Sequence, residues 1–147
     1  MAPAGIDPMR FARGSGVLPE LPSTSLSLAR GGLALVFLVA GVRHLLVPES
    51  YRAIVPPWLP APGLLVAISG WAEIAGGAGL LFPLTRRAAG WGLLLLLVLV
   101  FPANVEMLLQ YRSRGVVWWG EALLWLRLPL QVVLMWGVWR VMGRRRG

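Results

Sequence analysis

The chain has 147 residues, enough for one domain, and its 57% hydrophobic content stands above the roughly 45–50% of a soluble globule. Its net charge of +8 rests on arginine alone, and arginines at the ends of apolar runs set membrane orientation and meet anionic headgroups, so nucleic acid is not the partner they imply. The absence of cysteine excludes disulfides, thiolate zinc, iron–sulfur clusters and covalent c-type haem, and a single histidine, His44, excludes bis-histidine haem within one chain.

Residues 1–25 carry Pro, Gly and Ser with Arg10 and Arg13 and no apolar periodicity, which predicts a disordered cytoplasmic tail. The first apolar run starts near Leu26 and continues through GGLALVFLVAGVRHLLV without a convincing cleavage site, so residues 26–47 are read as a membrane span and not as a signal peptide. The next stretch, PESYRAIVPPWLPAP, contains five prolines within residues 48–62, a density that predicts an extended crossing rather than a regular helix. Tyr51 and Trp58 suit a headgroup-level aromatic belt. Further spans follow at 63–83, 88–110 and 121–142, and a basic cytoplasmic tail closes the chain at 143–147. At 1.5 Å rise per residue, each run of about 20 residues matches a hydrocarbon core of about 30 Å.

Orientation follows from the arginines. With the N-terminus inside, nine of them (Arg10, Arg13, Arg30, Arg86, Arg87, Arg140, Arg144, Arg145 and Arg146) lie on the inner side, against three outside, Arg52, Arg112 and Arg114. That imbalance predicts an all-α integral membrane four-helix bundle of up-down-up-down topology in the cytoplasmic (inner) membrane, with both termini cytoplasmic.

Polar residues inside the spans are the candidates for function, because lipid cannot satisfy them. Glu73 lies midway along the second span, where an ionised group costs roughly 2.5–3.5 kcal/mol on insertion scales, so it must face protein or water. Gly70, Glu73 and Gly77 share one helical face, on which a neighbouring helix can approach closely. Counting from the predicted outer ends, Arg43 lies about 6 Å deep, Asn104 and Arg127 about 9 Å, and Glu73 and Gln131 about 15 Å. The predicted ligand-binding set is therefore Arg43, Glu73, Asn104, Arg127 and Gln131, with His44 as a further candidate, in a polar pocket in the outer half. Pro102 and Pro129 leave the carbonyls of Val98 and Trp125 without their helical donors at nearly this depth. Glu106 faces away from Asn104 and belongs with the interface. No metal site is predicted.

The pieces GVRHLLVPESYRAIVPPWLP (41–60), SGWAEIAGGAGLLFPLTRRAAG (69–90), VFPANVEM (100–107) and LWLRLPLQVVLMWGVW (124–139) resemble the DoxX family of small four-helix membrane proteins, over about residues 28–140. The resemblance implies a four-helix membrane protein, and some relatives serve thiosulfate:quinone oxidoreductase or terminal quinol oxidase systems. It therefore implies an accessory subunit of a quinone-linked oxidoreductase, with a quinone as non-covalent ligand and oxidoreductase subunits or a second copy of the chain as partners. An arginine and an amide beneath an aromatic, proline-rich lid can hydrogen-bond a quinone carbonyl or an oxyanion, and Glu73 can exchange a proton. The alternative is a non-enzymatic assembly partner whose buried charges are structural pairs and whose glycine face docks another membrane protein. Transport is a weaker third reading, since no inverted repeat is visible. Whether the chain is an enzyme stays open at this point.

Overall fold

The computed structural model describes residues 23–113 and 118–143. Most of the predicted N-terminal tail and all but Gly143 of the basic C-terminal tail lie outside these residues. The described residues form five helices and no strand: α1 (Ser23–Leu46), α2 (Pro48–Arg52), α3 (Pro62–Leu81), α4 (Arg86–Ser113) and α5 (Trp118–Val141).

Three of these helices, α1 from Thr24, α3 and α4, are long and apolar enough to cross a membrane. Their apolar side chains largely point outward: at most 28% of the most apolar stretch of any of the three is buried, and Leu35, Ile68, Leu95 and Leu99 are all exposed. A helix that is apolar all round and turns most of that surface outward is built for lipid, which makes this a membrane protein. Helix α5, with 24 residues, is of similar length and carries Arg127, Gln131 and Arg140 among its apolar residues.

The proline-rich stretch departs from the extended crossing expected of it. Pro48 begins α2 at a position whose N–H would be unpaired anyway, and its fixed φ suits a first helical turn. Arg52 Nη1 donates to Glu49 Oε1 at 2.7 Å across that turn. The chain then runs irregularly to Ala61, which sits in the left-handed region at φ 52°, ψ 56°, and Pro62 starts α3.

Helix α1 packs most extensively on α3, α3 also on α4, and α4 on α5, while α5 returns to a smaller contact with α1. Glycine makes the first of these contacts close. A Cβ on Gly41 would lie 2.5 Å from the Gly70 carbonyl oxygen, and one on Gly77 2.9 Å from that of Ala34, so the two backbones nearly touch. The apolar core gathers Phe37, Leu80, Leu93, Leu97, Val138 and Val141 toward the end of the molecule where α3 hands over to α4, here called the Arg86 end. The opposite end, where α1 hands over to α2, is the His44 end.

Candidate functional site

Toward the His44 end the helices part around a cavity of about 710 Å³. Its walls are mostly apolar, with Phe37, Val66, Leu97 and Leu134 among them, and the segment from Tyr51 to Leu59 lies across it. The polar groups on its lining are His44, Tyr51, Ser69, Glu73, Asn104, Arg127 and Gln131. A mainly apolar cavity with a few convergent polar groups is the usual form of a small-molecule site.

Four of those polar groups form two pairs. His44 Nδ1 lies 2.7 Å from Glu73 Oε2, with both side chains nearly enclosed. This contact explains how a carboxylate is kept within an apolar segment: a hydrogen bond from the imidazole meets it on the face where α1 and α3 are closest. The His44 ring is held in turn by Tyr51, whose ring centroid is 3.9 Å away at 66°, so the short helix α2 fixes the imidazole edge-to-face. In the second pair, Asn104 Nδ2 donates to Gln131 Oε1 at 2.9 Å, with both residues buried. Gln131 Nε2 donates to the Leu97 carbonyl, the neighbour of the Val98 carbonyl that Pro102 leaves without its helical donor. In this way α4 and α5 are joined by amide hydrogen bonds at the level of the cavity.

Arg127 is exposed at the cavity's edge, with Nη1 3.7 Å from Met107 Sδ. Arg43, by contrast, is exposed on α1 and absent from the cavity lining. Of the six residues singled out from the sequence, the structure thus brings five to one cavity, namely His44, Glu73, Asn104, Arg127 and Gln131, and leaves Arg43 outside. Glu106 accepts from Gln110 Nε2 at 3.1 Å, and the same nitrogen donates to the Ala53 carbonyl at 3.1 Å. Gln110 therefore ties α4 to the segment over the cavity, a role that its position in the sequence does not announce. The helical register of α1 does signal His44: Ala34, Phe37 and Gly41, all buried, continue at i, i+3 and i+7 to His44 at i+10, a stripe from which Arg43 falls away.

Among the described residues no group of three or more His, Cys, Asp or Glu side chains can hold a metal ion. The chemistry available is hydrogen bonding from the amide pair, a charge at the rim, and proton exchange at an imidazole–carboxylate pair.

The family model described as "Domain of unknown function (DUF8561)" matches residues 33–142, and the chain belongs to that family. This corrects the resemblance to DoxX, which that match overturns. The pieces that carry it are glycine faces, leucine runs and arginines at helix ends, which membrane crossing imposes on any small polytopic chain. No curated protein and no solved structure matches the chain.

Proposed function

For this member of the DUF8561 family, we propose a membrane-embedded binding protein that takes a small amphipathic molecule into the cavity at the His44 end. The single observation that carries this reading is the cavity's composition: apolar walls for the body of a ligand, and a few polar side chains, namely two hydrogen-bonded pairs, Tyr51, Ser69 and one arginine at the rim. A carbonyl or hydroxyl head group, of the kind a quinone presents, would find donors at the Asn104–Gln131 amides and a proton-exchanging partner at the His44–Glu73 pair. Arg127 would meet any oxyanion at the mouth. The setting we propose is a four-helix, up-down-up-down bundle of α1, α3, α4 and α5 in the cytoplasmic membrane. Both termini would be cytoplasmic and the cavity would lie in the outer half. The distribution of arginines supports that orientation.

The test is native mass spectrometry of the full chain in detergent, with lipid extraction of the same sample. The wild type should retain a small molecule, and Arg127→Ala should lose it while the protein stays inserted and monodisperse, because the exposed Arg127 contributes little to folding. Aggregation of Arg127→Ala, or an empty wild type, would refute the binding reading.

A second reading has one observation in its favour. Both polar pairs already satisfy one another, so they serve equally as registry devices that lock α1 to α3 and α4 to α5 in an assembly protein. Gly70 and Gly77, however, are occupied by α1, so the glycine face of α3 is not the docking surface. A stoichiometric membrane partner co-purifying with an empty protein would favour this second reading.

A further inference from the structure

The Arg86 end carries a feature that the cavity does not explain. Arg30 on α1 and Arg86 at the start of α4 are close enough for their positive charges to act on each other. Arg30 Nε is buried and has no hydrogen-bond partner among the described residues. Arg86 Nε donates to the Leu80 carbonyl at 3.1 Å, while its two Nη groups make no hydrogen bond among the described residues. Arg87 is exposed beside them, and Arg140 lies over the Trp136 ring at 5.4 Å on α5. The described carboxylate side chains are elsewhere: Glu73 on His44, Glu49 on Arg52 and Glu106 on Gln110. Two like charges that act on each other, with a buried N–H left unpaired among the described residues, are a costly arrangement unless an anion sits between them. Guanidinium pairs match phosphate oxygens in both charge and fork geometry.

We propose that Arg30 and Arg86 form a binding site for a phosphate group that carries net negative charge. Its position at the end of membrane-crossing helices favours the headgroup phosphate of an anionic phospholipid, and a free phosphate has the same chemistry. The site is separate from the cavity and stands whether or not the cavity binds a ligand.

The experiment uses the full chain in detergent and native mass spectrometry. The probes are palmitoyl-oleoyl phosphatidylglycerol, palmitoyl-oleoyl phosphatidylcholine and inorganic phosphate, each titrated separately. The wild type should retain phosphatidylglycerol about tenfold or more over phosphatidylcholine at low salt, on the order of what two arginines at an anionic surface supply. The preference should vanish in Arg30→Gln and in Arg30→Gln/Arg86→Gln, return largely in Arg30→Lys, and survive in Arg87→Gln. Saturable inorganic phosphate binding without lipid preference, lost in the same variants, would support the site and identify a free anion as its occupant. Equal retention of the two lipids with no phosphate binding would overturn the proposal. So would a wild type that takes neither probe while Glu20→Gln takes phosphate, since the chain's own carboxylate would then be the counter-ion.

Discussion

Toward the Arg86 end, Leu80, Leu93 and Val138 are completely enclosed, whereas toward the His44 end the same four long helices part around a cavity into which polar pairs project. The two ends solve different problems with one set of helices. At the packed end, leucine and valine side chains interlock and supply stability through contact. At the hollow end, the helices are held by Gly41 against Gly70, by two hydrogen-bonded pairs and by the Gln110 tie to Ala53, which fix position while leaving space. Stability is thus concentrated where the molecule needs no opening, and specificity where it does.

Breaking the packed end should have the largest effect. Leu80→Ala removes a side chain with no exposed surface and should cost about 2–5 kcal/mol, read as a large drop in thermal stability in detergent. Leu130→Ala on the cavity wall, where the side chain is half exposed, should stay within about 0.5 kcal/mol. Similar losses from the two would erase the distinction between the ends.

The polar pairs should come next. His44→Ala leaves the Glu73 carboxylate buried without its hydrogen bond and should cost about 1–3 kcal/mol or somewhat more. The double variant His44→Ala/Glu73→Leu should recover much of that loss, because an apolar group replaces an orphaned polar one. A double variant no more stable than the single one would show that the pair does more than neutralise Glu73. Below these in stability, Ala103→Phe places a ring in the cavity and should leave thermal stability within about 1 kcal/mol. Ligand retention should fall at least about tenfold; an unchanged retention would place the ligand elsewhere.

How much of this was legible in the sequence differs between the helices and their partners. The long helices follow from apolar runs of sufficient length, and the inward aim of Glu73 follows from the energetic cost of any other direction. Gly70 and Gly77 likewise announce a close neighbour, and α1 is that neighbour. The partner of Glu73 is a different matter. The cations in the predicted set are Arg43 and Arg127, yet the hydrogen bond comes from His44. Successive residues on a helix are about 100° apart, so Arg43 and His44 face different surroundings although they are adjacent. The cavity itself was legible only as a concentration of polar residues at one depth, since its volume depends on how four helices diverge. Helix α2 was hidden because proline density argues against a helix in general, while a proline in its first turn does not. The likeness to DoxX misled for a related reason: membrane physics repeats the same local compositions in chains of different families.

The smallest effect expected is at Ala61, and it bears on what holds the segment over the cavity. Its left-handed conformation costs roughly 1 kcal/mol for a residue with a Cβ, and a residue preceding proline is normally extended. The conformation persists because the Ala61 carbonyl accepts hydrogen bonds from Leu64 N at 2.9 Å and Leu65 N at 3.1 Å, which pair two amides of the first turn of α3. Ala61→Gly relieves the Cβ strain but adds backbone freedom to the unfolded chain, so the net gain should be no more than about 0.5 kcal/mol. Ligand retention should not change, because the segment over the cavity is anchored independently by Tyr51 on His44 and Gln110 on Ala53. If Ala61→Gly instead weakened retention with stability unaltered, the strained turn would be what positions that segment, and the hollow end would owe its shape to the backbone as much as to its side-chain pairs.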